Sequence, residues 1–167
     1  RVFQDPKLGT APRMTVAENM LLASKRGEKR NLMPRRLKQR MAEFTKLAAQ
    51  MNNGLENRMT TPTGALSGGQ RQALSFLMAT LKRPDILLLD EHTAALDPHT
   101  ARNLLHATNQ RITEDHLTAL MITHHMEDAL KYGNRLIVLK DGQIKADYNA
   151  AEKAQLTVDD LYAYFEM

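Results

Sequence analysis

Cysteine and tryptophan are both absent from the 167 residues. Without cysteine there is neither a disulfide framework nor a zinc-thiolate site, and the chain fits a reducing, cytosolic setting. Aromatic residues make up only 5% of the sequence, and no base-stacking surface is evident, since Phe44 alone lies near the basic cluster described below. No apolar run approaches the ~20 residues of a membrane-spanning helix. Arg1-Val2-Phe3-Gln4 has neither an initiator Met nor the basic start and apolar run of a signal peptide, and reads as a chain entered mid-domain. Also missing is any G-x-x-x-x-G-K-[ST] loop, the backbone cradle that grips a triphosphate.

What remains supports a folded domain, with or without an attached subdomain: 43% of residues are hydrophobic and 25% charged. The charge is uneven. Residues 1–58 hold thirteen Lys/Arg against five Asp/Glu, whereas the rest of the chain is net acidic. The basic excess centres on Lys25-Arg26, Lys29-Arg30 and Arg35-Arg36-x-Lys38-x-Arg40. Such a cluster suits nucleic acid or anionic headgroups, but a solvated helix face explains it more simply, and no nucleic-acid partner is expected.

Pattern along the chain separates two rhythms. Residues 1–13 read as extended chain and loop, broken by Pro6, Gly9 and Pro12. Thr15 and Glu18 match a capping box that opens a helix ending near Ser24. Pro34 fits the first turn of a second helix, on which Leu37, Met41, Phe44, Ala48 and Met51 share one face, with Asn53-Gly54 as its stop. A third helix follows Ser67, with Ala73, Leu74, Leu77 and Leu81 on one side. The second half changes to strand, helix, strand, helix, strand. Residues 86–89 form a continuous apolar run, as in a strand buried on both faces of a parallel sheet. Asp97-Pro98 opens a helix, and residues 117–122 read as a second strand. A short helix spans 125–132, a hairpin turns at Asp141-Gly142, and a last helix runs over 158–165. The expected class is α/β, with active groups at the carboxyl ends of the strands.

Three segments carry chemistry. Ser67-Gly68-Gly69 precedes a helix whose first amides lack intrahelical partners, so a hydroxyl, two glycines and the helix dipole can receive an anion; a simple capped turn explains the same residues. Asp90-Glu91 ends the buried strand, where one carboxylate can hold Mg²⁺ and its neighbour orient an attacking water; the bland reading is a pair of solvent-facing acids. Thr123-His124-His125 ends the second strand, where His124 can donate to a terminal phosphate, serve structure, or join Glu127 or Asp128 around a metal.

The order of these elements decides among the readings. Gln4, then Leu66-Ser67-Gly68-Gly69-Gln70, then Ile86-Leu87-Leu88-Leu89-Asp90-Glu91, then Ala95-Leu96-Asp97, then Thr123-His124 together resemble the ATP-binding subunits of ABC transporters, over essentially the whole chain. In that family these are the Q-loop, the signature, the Walker B strand with its trailing glutamate, the D-loop and the switch histidine. The resemblance implies a partial P-loop NTPase (RecA-like) parallel-sheet core with an ABC-type helical subdomain. Residues 1–81 would be the Q-loop and helical subdomain, and 82–167 the carboxyl-terminal part of the ATPase core.

It implies as well that ATP and Mg²⁺ lie between two head-to-tail subunits. Ser67, Gly68, Gly69 and Gln70 would meet the nucleotide of the opposite subunit, and Asp97 would cross the interface. Asp90 and Gln4 would hold Mg²⁺, Glu91 would activate water, and His124 would bind the γ-phosphate. Expected partners are a second ATPase subunit, transmembrane permease subunits and, for an importer, an extracytoplasmic solute-binding protein, at the cytoplasmic face of the cell membrane. The P-loop and the adenine-stacking aromatic would lie upstream of Arg1, so that this chain alone is expected to be inactive and its sheet to have exposed edges. His92 departs from the family, which usually has proline there. Two alternatives stay open: a non-transport ABC ATPase of translation or DNA repair, and a non-catalytic regulatory or scaffold relative.

Overall fold

The computed structural model describes residues 1–29 and 36–165, so Pro34 and the basic residues Arg30 and Arg35 lie outside the described residues. The chain divides into two compact units, Arg1–Met121 and Ile122–Met167.

The first unit is built around helices. Helix α1 (Val16–Ser24) starts where the sequence places it: the Thr15 hydroxyl accepts from the Glu18 N–H while Glu18 reaches back to the Thr15 N–H. Helix α2 (Leu37–Ala49) buries Phe44 and Ala48, with Met51 just beyond it, and packs Leu37 and Met41 more loosely against the same core. Helix α3 (Gly68–Thr80) is buried along most of its length, through Ala73, Leu74, Phe76, Leu77 and Met78. These three helices share one apolar core with Val2, Leu87, Leu89 and Leu104.

Strand β1 (Leu87–Asp90) and strand β2 (Ala119–Ile122) are hydrogen-bonded neighbours, separated in sequence by helix α4 (Pro98–Glu114). Asp97 caps α4 through the Thr100 N–H, and Pro98 occupies the first turn, where its missing N–H is harmless. Val2 adds a parallel bridge to β1: its N–H donates to Leu88 O at 2.8 Å, and the Asp90 N–H donates to Val2 O at 3.2 Å. The expectation of a strand buried on both faces is only half met. Leu87 and Leu89 point into the core, but Ile86 and Leu88 are 52% and 37% exposed, as are Leu120 and Ile122 at 49% and 51%. Successive strand residues face opposite ways, and only one face of this pair meets the helical core.

Among the described residues three short 3-10 turns form, Pro6–Gly9 within the stretch read as extended chain and loop, and Leu55–Arg58 and Thr63–Ala65 between α2 and α3. The 10–15 segment is pinned from two sides. Asn19, fully buried on α1, receives the Ala11 N–H and donates to the carbonyls of Ala11, Met14 and Thr15. Thr63 donates its hydroxyl to Ala11 O and its N–H to Met14 O.

The second unit contains helix α5 (Met126–Lys131), strands β3 (Leu136–Lys140) and β4 (Gln143–Tyr148), and helices α6 (Ala150–Lys153) and α7 (Val158–Tyr162). The hairpin turns at Asp141-Gly142, where φ is positive at both residues (54° and 71°), as a tight two-residue turn between twisted strands requires. Arg135 braces its open end with two hydrogen bonds to the Asp147 carboxylate. Helix α6 was not legible beforehand; on it the buried Lys153 ammonium donates to the carbonyls of Tyr132 and Gly133, which close α5.

Candidate functional site

Two groups of the sequence-derived residues come together within the first unit. The first lies at the carboxyl end of β1. The Gln4 side-chain amide donates to Glu91 Oε2 at 3.3 Å across 87 positions of sequence, because Val2 pairs with β1 and carries the following residues to the strand end. The backbone just before Gln4 is gripped independently: Gln72, buried on α3, donates to Phe3 O at 2.9 Å. Gln72 was not singled out from the sequence; its place two residues after the Gln70 of the signature is the only signal that marks it.

Glu91 has φ of +41°, a left-handed conformation that a non-glycine residue adopts at a cost of order 1 kcal/mol. The left-handed residue reverses the chain just after the strand. Asp90 forms an ion pair with the Arg1 guanidinium. The Arg1 guanidinium shows that Asp90 accepts a cation, and the carboxylates of Asp90 and Glu91 with the amide oxygen of Gln4 are oxygen donors of the kind that a hard divalent ion such as Mg²⁺ takes. His92 is buried, with its Nε2 unpartnered, and burial pushes its pKa down to about 4, so the imidazole is neutral at physiological pH.

The second group is the turn before α3. Ser67 and Gln70 form a reciprocal capping box: the Gln70 N–H donates to Ser67 Oγ at 3.2 Å, and Gln70 Oε1 accepts from the Ser67 N–H at 3.3 Å. The Gln70 side-chain NH₂ donates to Asn53 O at 3.2 Å, and the Asn53 side chain returns a bond to Gly69 O at 3.3 Å. The Asn53-Gly54 stop after α2 therefore clasps the first turn of α3. Gln70 spends its polar groups on holding the turn, in which Ser67 and Gly68 are exposed and Gly69 is buried. The D-loop lies alongside. Leu96 Cδ2 is 3.7 Å from where a Gly68 Cβ would be, and Ser67, Gln70, His99, Thr100 and Asn103 line a common cavity of about 190 Å³. Asp97, with its carboxyl held below the ordinary value by hydrogen bonds from the Thr100 side chain and backbone, caps α4 at this edge.

His124 belongs to the second unit, directly after β2. Its ring lies against that of His125, with centroids 4.4 Å apart, and Thr123 Oγ1 accepts from the His125 N–H at 3.1 Å, fixing the turn into α5.

Comparison with known proteins gives these residues their setting. A sequence model described as ABC transporter matches residues 1–94. The chain is 43% identical over 166 residues to the tyrosine transport ATP-binding protein of Clostridioides difficile (strain R20291), covering 99% of this chain and 66% of that protein. It is 34% identical over 143 residues to the thiamine import ATP-binding protein ThiQ of Escherichia coli (strain K12), covering 86% and 57%. It is 32% identical to the phosphonates import ATP-binding protein PhnC 2 of Cupriavidus metallidurans, covering 97% and 57%. The chain thus spans roughly three-fifths to two-thirds of the length of these relatives. Among solved structures, an ATP-binding cassette dimer in a post-hydrolysis state with ADP and Pi superimposes with a TM-score of 0.71 at 26% identity, over 89% of this chain and 61% of that one. With a matched family model over more than half its residues, and with the Gln4–Glu91 pair and the capped Ser67 turn formed in its fold, this chain belongs to the ABC transporter family.

Proposed function

We propose that this chain is the signature-bearing and Walker B-bearing part of a transporter ATPase subunit, coupling ATP hydrolysis between two paired subunits to solute import. The observation that carries the reading is the Gln4–Glu91 hydrogen bond beside Asp90: a carboxylate, set by a left-handed turn and touched by an amide from a distant segment, is the arrangement that orients a water for attack on a phosphoryl group. In this reading Glu91 accepts the proton of that water. Asp90 and Gln4 hold Mg²⁺, which supplies charge neutralisation of the phosphate oxygens when bound. Ser67 donates its hydroxyl, and the amides of Gly68 and Gly69 present partial positive charge, to the terminal phosphate held by the partner subunit. Asp97 meets that partner, and His124 donates to the γ-phosphate of its own subunit's nucleotide. Residues 1–81 act as the Q-loop and helical subdomain and 82–167 as core.

The partners proposed are a second ATPase subunit, permease subunits of the membrane and a solute-binding protein, with the chain peripheral to the cytoplasmic face. Among the described residues no helix is long and apolar enough to cross a membrane. Relatives named for tyrosine, thiamine and phosphonates share this cassette, and these solutes have little chemistry in common, so the solute is proposed to be selected by other subunits. No G-x-x-x-x-G-K-[ST] loop is present in these residues, and the chain alone is proposed not to hold the triphosphate. In the full-length protein, Glu91→Gln is expected to lower the ATP turnover number by at least about a hundredfold while ATP binding persists, since the amide cannot accept the proton. Phosphate release and labelled-nucleotide binding measure the two; undiminished turnover would contradict the role of Glu91.

A further inference from the structure

Glycines 68 and 69 look interchangeable in the sequence, both leaving room for a phosphate. The structure separates them. A Cβ on Gly68 would make only an ordinary contact, 3.7 Å from Leu96 Cδ2, whereas one on Gly69 would fall closer than 3.0 Å to the Thr100 methyl, with Thr100 Cβ itself at 3.7 Å. Gly69 is buried by this contact. The Thr100 methyl is not free to swing aside. Its residue sits in the first turn of α4, where a β-branched side chain has few allowed rotamers. Its N–H donates to the Asp97 carboxylate at 3.0 Å, which pins its backbone in the capped first turn of α4.

We propose that Thr100 is a positioning residue that locks the signature turn to the D-loop of its own subunit: its methyl occupies the space of a Gly69 side chain while its backbone N–H holds the Asp97 carboxylate. On this account Gly69 is glycine because α4 packs against it, in addition to any approach of phosphate to its backbone. Displacing Thr100 moves Ser67 and Asp97 relative to each other, and these are the two groups read above as meeting the partner subunit. The inference rests on that reading for its catalytic consequence, but not for the packing itself.

A rescue series decides it, made in the full-length protein and followed by ATP turnover, ATP binding to the single subunit and thermal unfolding. Gly69→Ala is expected to lower kcat at least about tenfold, to lower the unfolding midpoint, and to leave ATP binding within about twofold, because neither the signature nor the D-loop supplies the resting grip on nucleotide. Adding Thr100→Ser, which removes the methyl and keeps the hydroxyl, is expected to bring both rate and midpoint to within about threefold and a few degrees of Thr100→Ser by itself. Adding Thr100→Val, which keeps a methyl and removes the hydroxyl, is expected to rescue neither. A Gly69→Ala/Thr100→Ser protein as slow as Gly69→Ala, or a Val variant that rescues equally well, overturns the lock. A wild-type protein without ATPase activity overturns the functional reading instead, and the unfolding midpoints still decide the contact.

Discussion

Glu91 holds a left-handed backbone conformation at the end of a strand whose other residues are regular. Such a conformation persists only where the surroundings impose it, and here they are His92, buried beneath the turn, and the Gln4 amide above it. His92 makes a pH prediction. Its folded pKa of about 4 lies below the unfolded value near 6.5, so between those two values the unfolded chain binds more protons than the folded one. Stability is therefore full above about pH 6.5 and falls as pH drops toward 4, by roughly 3 kcal/mol at most. Urea unfolding at pH 7 and pH 4.5 of wild type and His92→Leu measures this, and the variant is expected to lose that part of the pH dependence. An identical dependence in the two proteins would show that His92 is not the group responsible. From the sequence, His92 was visible only as a departure from the family's proline; that it is a buried neutral imidazole next to the Glu91 turn follows from packing that no local pattern encodes.

Among the elements, those marked by their own end chemistry were legible and those defined by distant partners were not. The Thr15–Glu18 box, the helix start after Ser67, the Asp97-Pro98 start and the Asp141-Gly142 turn were legible because capping and turn geometry are decided within four residues, whereas the part of Gln70 in closing the Ser67 box was not read. Asn19, Gln72 and Lys153 were not, since each is a polar residue on a helix whose partners lie in loops the periodicity does not place. The buried face of β1 was over-read: four consecutive apolar residues suggested cover on both sides, yet alternate residues of β1 face solvent. Asn19 supports a prediction at this scale. Its side chain satisfies the Ala11 N–H and three carbonyls of the loop leading into α1. Asn19→Leu is expected to cost about 2–3 kcal/mol, from leaving that N–H and at least one carbonyl buried without a partner. Chemical denaturation measures the loss, and a change under about 0.5 kcal/mol would mean the loop finds other partners.

At the scale of the molecule, the signature helix α3 emerges as the organiser. Its first turn is clasped by Asn53, which follows α2, and packed by Thr100 of α4, and its second turn holds Phe3 O through Gln72, next to the Gln4 that touches Glu91. Signature, D-loop and Q-loop are thus tied to a single rigid element. A displacement of α3 by the α1–α2 region is expected to reach all three together, in keeping with the role proposed above for residues 1–81.

The central claim is that the Ser67 turn grips a nucleotide carried by a second copy. The full-length Glu91→Gln protein with ATP and Mg²⁺, analysed by sedimentation velocity beside the same protein carrying Ser67→Arg, tests it most directly. The first is expected to pair when ATP is added, and the second to stay single while still binding labelled ATP. A Ser67→Arg/Glu91→Gln protein that pairs as completely as Glu91→Gln would contradict it.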